Sequence, residues 1–191
     1  MSRLLLLLIL FSSVSFADDY LKIAYGYGQL NMRGEAQREP VFEDATLFSM
    51  GAGAEIFNRF YLESLVVIEV GKDADVNIIH KGQSIETTKS FNSLGISLGS
   101  KYILIDNENV DTYAGVNYLL WTGGETYNID DTLYESNGAG VDFAEENLYT
   151  SGDFGLELGW RVRERVEFAF KIQQYSAADT GLFGFQVGLT L

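Results

Sequence analysis

The C-terminal stretch GLFGFQVGLTL, residues 181–191, places an apolar side chain at every second position. The apolar set is Phe183, Phe185, Val187, Leu189 and Leu191, and the set between them is Gly184, Gln186, Gly188 and Thr190. Successive side chains of a β-strand point to opposite faces, so this period of two predicts a strand with one apolar face. The other face of this strand is small or polar.

Seven segments upstream repeat the period of two, whereas a helical period is hard to find after residue 18. They lie at about residues 20–28, 46–56, 60–70, 90–102, 110–121, 148–162 and 166–175. The alternation is least regular in 60–70, where Leu65 and Val67 fall on the otherwise polar face. The C-terminal strand and these seven segments give a total of eight predicted strands.

The connections between these segments alternate in length. Three are short, near Asn58, Asp106 and Glu164. Three are long, at about 29–45, 71–89 and 122–147, and only the last connection on the long-loop side, near 176–180, is brief. An even number of strands with tight turns at one end and long loops at the other is typical of a transmembrane β-barrel. We therefore predict an all-β fold, an eight-stranded antiparallel up-and-down transmembrane β-barrel.

The N-terminus has the features of a secretory signal peptide. Arg3 is basic, residues 4–11 are an unbroken apolar run, and Ser15-Phe16-Ala17 offers small residues at the −3 and −1 positions of a cleavage site. The apolar run is too short for a spanning helix, which needs about 20 residues. We predict a signal peptide at 1–17 and a barrel at 18–191, and hence export of the chain.

The bulk composition excludes several classes of protein. The chain has 191 residues, no cysteine and 47% apolar residues, which suits a single folded domain. Without cysteine there are no disulfides, no thiolate metal ligands and no lipidated N-terminal anchor. The net charge of −14 would repel nucleic acid, so we expect no nucleic-acid partner.

Glycine indicates which face of the strands points inward. The face opposite the apolar one carries Gly26, Gly28, Gly51, Gly53, Gly95, Gly99, Gly155, Gly159, Gly184 and Gly188. Glycine weakens a solvent-exposed strand, but the interior of an eight-stranded barrel barely holds its side chains, so small residues make room there for large ones. We therefore predict that the apolar face contacts lipid. A soluble secreted barrel with its apolar face inward is the alternative.

Charged residues share the glycine face and would point into the lumen. The predicted set is Lys22, Glu55, Glu63, Glu69, Lys101, Asp153, Glu157, Arg161, Glu167 and Lys171. A hairpin turn centred on Glu164 places Arg161 opposite Glu167. The same register places Glu157 opposite Lys171, so both facing pairs are opposite in sign. Since unpaired buried charges are costly, we predict a lumen plugged by ion pairs, with a continuous water column as the alternative.

Aromatic residues on the apolar face fall at two levels. Tyr25, Tyr27 and Tyr118 lie near the predicted loop ends of their strands, and Phe60, Tyr102 and Trp160 lie near the turn ends. Aromatic girdles mark both membrane interfaces in transmembrane barrels. We interpret these residues as two interfacial girdles.

The glycine-alternating strands at 94–99 and 154–160, together with the terminal strand at 181–191, resemble the small outer-membrane barrels of the OmpA-type transmembrane domain and OmpX-like families. The resemblance covers essentially all of the chain after residue 17. It implies location in the outer membrane of a Gram-negative cell, contact with lipid and lipopolysaccharide, and insertion by the barrel-assembly machinery. Such barrels usually end in an aromatic residue, whereas this chain ends in Leu191.

Some barrels of this size are lipid A modifying enzymes, and histidine is the residue that limits this possibility. The only histidine is His80, and the residues after it, 81–84, do not give the His-x-Ser arrangement of the lipid A deacylase family. We therefore expect no enzymatic activity, no cofactor and no metal centre.

The leading expectation for function is a monomeric surface barrel. It would serve membrane integrity, adhesion or both, with any host or surface ligand bound by the loops 29–45, 71–89 and 122–147. The alternative is a narrow porin that passes small solutes or ions.

Overall fold

The computed structural model describes residues 19–32, 39–80, 83–129, 143–163 and 165–191. The strands are β1 (Asp19–Met32), β2 (Val41–Phe57), β3 (Phe60–Gly71), β4 (Ala74–His80), β5 (Gln83–Ile105), β6 (Val110–Ile129), β7 (Phe143–Val162), β8 (Val166–Tyr175) and β9 (Thr180–Thr190). A short 3-10 turn, Ser176–Ala178, joins β8 to β9. None of the described residues belongs to a helix that is long and apolar enough to cross a membrane. The predicted signal peptide, 1–17, lies outside the described residues.

The strands close into a ring. From β1 to β3 and from β5 to β9, each strand is hydrogen-bonded antiparallel to its neighbour in the chain. β1 also pairs with β9, and β3 pairs with β5, which completes a ring of eight strands. β4 continues the line of β3 and pairs with the first residues of β5. The predicted eight-stranded antiparallel up-and-down barrel is confirmed.

The described parts of the three connections predicted as long loops, 29–45, 71–89 and 122–147, are largely strand, so the assignment of these parts as loops is wrong. β1 and β2 pair as far as Met32 opposite Val41. β4 and β5 form a hairpin within 71–89, and β6 pairs with β7 up to Ile129 opposite Phe143. A strand that is wetted on its outer face loses its apolar residues there while its backbone pairing continues. The apolar alternation therefore ends before the strands do.

The polarity of the barrel wall is the reverse of that of a soluble protein. Outward side chains are apolar and exposed, among them Leu21 at 59%, Phe154 at 73% and Phe183 at 56%. The inward side chains of Lys22 and Lys101 are only 3% and 6% exposed. The glycine-bearing, charged face thus points into the lumen, as the glycine pattern predicted.

Apolar side chains fill the loop-side half of the lumen, which the sequence analysis did not predict. This core includes Leu30, Met32, Leu47, Leu65, Val67, Val76, Phe91, Leu119, Trp121, Tyr175 and Leu182. Its members come from the inward faces of the strands and of the β4–β5 hairpin. The lumen therefore has a polar turn-side half and a largely apolar loop-side half.

Candidate functional site

Five charged side chains meet in the middle of the lumen. They are Lys22, Glu63, Lys101, Glu157 and Glu167, which we call the central cluster. Lys101 Nζ lies 2.7 Å from Glu167, 2.9 Å from Glu63 and 3.2 Å from Glu157. Lys22 Nζ lies 2.8 Å from Glu167 and 3.5 Å from Glu63. Each lysine bridges strands that do not pair with one another, so the central cluster ties separate parts of the barrel wall together.

Tyrosine hydroxyls complete the hydrogen bonding of these carboxylates. Tyr20 donates to Glu63 at 2.7 Å. Tyr113 OH lies 2.7 Å from Glu157 and 2.9 Å from Glu167, so it can donate to either. These tyrosines were not predicted as site residues. Tyr113 lies on the polar face of its strand, and a hydroxyl on the same face as the predicted lumen charges was the signal that could have indicated it.

A glycine makes room for one of these tyrosines. A Cβ on Gly159 would lie 2.6 Å from the Tyr113 ring, a separation that packed atoms do not adopt. The absence of a side chain at Gly159 therefore allows the Tyr113 ring to cross the lumen.

The predicted hairpin register is present, but its facing charges do not form the predicted ion pairs. β7 and β8 place Arg161 opposite Glu167 and Glu157 opposite Lys171. The Arg161 guanidinium instead binds Asp111 at 3.0 Å, and Lys171 Nζ lies 3.8 Å from Glu69. Asp111 faces Arg161 from β6, the other neighbour of β7, and so competes with Glu167. Lys171 reaches across the narrow lumen to Glu69 of β3, which the long lysine side chain allows.

A second polar group lies at the turn end of the lumen. Arg161 donates to Tyr61 OH at 3.0 Å, and its guanidinium lies 4.6 Å from the Tyr61 ring centroid. Tyr61 in turn donates to Glu55 at 3.0 Å. With Asp111, these residues form the floor of a cavity of about 250 Å³, which we call the turn-side mouth.

Asp153, predicted as a lumen charge, lies toward the loop end and apart from the central cluster. Trp121 Nε1 donates to it at 2.7 Å, and Ser176 Oγ donates to its other oxygen. These bonds hold the 3-10 turn of Ser176 against the wall of β6 and β7. The role of Asp153 among the described residues is thus to anchor the β8–β9 connection.

A buried ion pair also occurs in a region predicted as loop. Lys89 of β5 pairs with Glu125 of β6, and both side chains are at most 5% exposed. Tyr127 and Tyr149 donate to Glu125 at 3.0 and 3.1 Å. The charges of 71–89 and 122–147 are therefore not all solvated, because the strands continue and their inward face stays enclosed.

Three aromatic rings close the loop-side half of the lumen. Phe91, Trp121 and Tyr175, which we call the aromatic plug, are at most 2% exposed. Their ring centroids are 5.0 to 5.8 Å apart. Such distances are typical of directly packed aromatic pairs. Large apolar residues on the inward face are the signal that could have indicated this plug. Only Leu65 and Val67 were recognised as such residues in the sequence.

Little free space remains between the plug and the central cluster. A cavity of about 20 Å³ lies there, lined by Ser49, Asn117 and Gln186 among others. One polar atom on each of these three side chains has no hydrogen-bond partner. A water molecule needs at least about 10–15 Å³ and two to four polar partners, so the cavity suits a single bound water.

The predicted girdle residues lie on the outer face of the barrel. Tyr25 is 61% exposed, Tyr27 53%, Tyr102 48% and Trp160 37%, and Phe60 and Tyr118 are partly exposed. Phe60 and Tyr102 face each other near the turn ends of β3 and β5. Tyr118 lies in the middle of β6 rather than at its loop end, because the strand continues to Ile129.

Within the described part of the chain, no three His, Asp or Glu side chains are grouped so that they could hold a metal ion. The side chain of His80 lies outside the described atoms.

Several solved structures have a similar fold. No protein-family model matches the sequence, and no curated protein matches it. The attachment invasion locus protein Ail of Yersinia pestis has a TM-score of 0.55 at 14% identity, over 91% of this chain and 97% of Ail. A second Ail structure, a complex with the heparin analogue sucrose octasulfate, has a TM-score of 0.55 at 13% identity and the same coverage. Neisserial surface protein A has a TM-score of 0.52 at 12% identity, again over 91% and 97%.

These proteins define the fold class. The chain has the fold of the small eight-stranded outer-membrane β-barrels, as its resemblance to the OmpA-type and OmpX-like barrels implied.

Proposed function

We propose that the protein is a non-enzymatic, monomeric integral barrel of the outer membrane. The observation that carries this proposal is the reversed polarity of the wall. Large apolar residues are exposed around the ring, while lysines and glutamates are buried inside it. Exposed apolar surface of this extent is unfavourable in water and favourable in hydrocarbon. Lipid and lipopolysaccharide would therefore be its immediate surroundings, with insertion by the barrel-assembly machinery.

The lumen supports a closed barrel rather than a channel. The central cluster occupies the middle of the lumen, and the aromatic plug with its apolar neighbours occupies the loop side. The alternative, a narrow porin, is favoured by one observation only: the turn-side mouth opens a cavity of about 250 Å³ toward the charged region. The apolar half stands between this cavity and the loop side.

The long hairpins support a role in surface contact besides membrane integrity. A tilted strand crosses a bilayer with about 9–11 residues, whereas β5 has 23 and β6 and β7 have 20 each. The surplus of these strands would project from the membrane as a paired sheet. We propose that this sheet and the connections at its tip, within 29–45, 71–89 and 122–147, contact partners outside the cell.

The expected partner chemistry differs from that of the Ail complex. Ail has been crystallised with a sulfated heparin analogue, but this chain has a net charge of −14. Long-range repulsion would disfavour a polyanion and favour a cationic surface. We expect the purified barrel to flow through heparin resin at physiological ionic strength and to be retained on an immobilised cationic polymer. Retention on heparin would contradict this proposal.

The membrane proposal has a direct test. We expect the protein in the outer-membrane fraction, resistant to carbonate extraction, and migrating differently on a gel before and after boiling. N-terminal sequencing should begin at Asp18 if cleavage follows Ala17. Recovery of a monomer that stays dissolved without detergent would contradict the membrane assignment.

A further inference from the structure

The turn-side mouth has walls of opposite charge. Arg59 comes from the turn between β2 and β3, and Arg163 comes from the turn between β7 and β8. Asp106 and Glu108 come from the turn between β5 and β6, and all four line the same cavity of about 250 Å³. Around the ring the β5–β6 turn lies between the other two turns, so the acids stand between two arginines that approach the mouth from opposite sides.

Both arginines have an unfavourable backbone conformation. Arg59 has a φ of 71° and Arg163 a φ of 49°. This left-handed region is disfavoured for residues with a Cβ and open to glycine. The chain contains 20 glycines, yet arginine occupies these two turn positions. Strained backbone that is kept beside a cavity indicates that the side chains of these residues have a function there.

The rim arginines are available for a ligand, unlike the arginine of the floor. Arg161 is held by Asp111 and Tyr61. Arg59 meets Asp106 at 3.3 Å, but their side chains are 42% and 53% exposed. The described residues give Arg163 no ion-pair partner. Exposed ion pairs contribute little, so Arg59 and Asp106 can exchange partners readily.

We propose that the turn-side mouth binds a free dipeptide, whose two ends carry a carboxylate and an ammonium group. Arg59 and Arg163 would hold the carboxylate, since the planar guanidinium matches a carboxylate with two parallel hydrogen bonds. Asp106 and Glu108 would hold the ammonium group. Other ligands fit this arrangement less well. A polyanion would be repelled by Asp106 and Glu108, and a simple cation would make no contact with the arginines.

The size and place of the cavity define the occupant further. The volume of about 250 Å³ lies below the range of about 300–1,000 Å³ for drug-sized ligands, so it suits one or two amino acid residues. The mouth opens at the end of the lumen rather than on the outer apolar face. Its occupant therefore comes from the aqueous phase and not from the bilayer.

The test is a titration of the detergent-solubilised full-length barrel with the dipeptide alanyl-alanine, followed by NMR of the arginine Nε–H signals. We expect saturable shifts with the free dipeptide and at least about tenfold weaker binding of its C-terminal amide and of its acetylated form. Arg59→Gly and Arg163→Gly should weaken binding by a similar factor. This readout does not depend on the proposed membrane location.

Asp179→Gly provides the matched control. Asp179 has a φ of 45° but lies at the opposite end of the barrel, next to the 3-10 turn, so its replacement should leave dipeptide binding unchanged. All three glycine variants should unfold no earlier than the parent protein, because relief of strain offsets the greater freedom of the unfolded chain. Loss of binding in the arginine variants would then not be a folding defect.

Four results would overturn the proposal, and three of them concern dipeptide binding. They are the absence of shifts at millimolar dipeptide, equal binding of the amide, and full binding by the Arg59→Gly/Arg163→Gly double variant. A fourth is a shift of the same arginine signals by phosphatidylethanolamine in the detergent micelle without any response to dipeptide. That outcome would assign the arginines to a lipid headgroup instead.

Discussion

Replacing Lys101 by methionine is expected to lower the free energy of unfolding by about 3–5 kcal/mol. Lys101 Nζ is within 3.2 Å of three carboxylates, those of Glu63, Glu157 and Glu167. Methionine keeps most of the side-chain volume but removes the charge, so Lys22 would remain as the one cation of the central cluster. The uncompensated negative charge would be buried in a place that water hardly reaches.

The measurement is denaturant unfolding of the refolded barrel, with Lys72→Met as the control. Lys72 pairs with Asp44 at 2.7 Å, but its side chain is 68% exposed. Its replacement should change the free energy of unfolding by at most about 0.5 kcal/mol. A loss below about 1 kcal/mol in Lys101→Met would mean that the central cluster does not hold the barrel together.

A double variant separates charge from packing. Glu167→Gln removes the carboxylate nearest to both lysines, so alone it leaves Lys22 and Lys101 with only Glu63 and Glu157 as partners. Combined with Lys101→Met, it removes one charge of each sign. The two losses should therefore fall short of additivity by about 1–3 kcal/mol. Additive losses would indicate that each variant acts through packing rather than through the shared charges.

The sequence predicted the features that follow from local spacing. The period of two separates the inward from the outward side chains, and the turn near Glu164 sets the register of Arg161 against Glu167. Both depend on residues close together in the chain. The approach of Lys171 to Glu69 depends on the barrel as a whole, because β8 and β3 are not paired and their side chains meet only across the closed ring.

The loop-side half of the lumen was missed for a different reason. Inside a barrel, an apolar residue on the polar face is ambiguous, because alternation alone does not show whether its partners across the lumen are apolar too. Leu65 and Val67 were visible as exceptions, yet Leu119 and Trp121, which belong to the same apolar core, lie on another strand. The apolar core therefore follows from the closure of the ring and not from any single strand.

The double variant Phe91→Ala/Tyr175→Ala is expected to convert a silent barrel into a conducting one. Both rings are fully buried in the aromatic plug, and their removal would leave a space next to Trp121. Ions do not cross a dry apolar constriction, because entering it strips their water. The central cluster is a different kind of obstacle, since each of its lysines has more than one carboxylate within reach and can exchange partners.

The choice of this pair leaves the neighbouring contacts in place. Trp121 keeps its hydrogen bond to Asp153, so the β8–β9 connection stays anchored. Truncating a buried phenylalanine costs about 3–5 kcal/mol of stability, so the fold of the variant has to be checked by heat-modifiability before recording. Phe183→Ala, on the outer face, is the matched control for the loss of an aromatic ring.

Single-channel recording in planar bilayers decides between the two obstacles. If the aromatic plug sets the barrier, the double variant should pass potassium chloride in discrete steps, while the parent protein, Phe183→Ala and Glu167→Gln remain silent. Steady current from Glu167→Gln, or silence from the folded double variant, would assign the barrier to the central cluster. The apolar half of the lumen favours the first outcome, because an aromatic plug cannot exchange its contacts for water as ion pairs can.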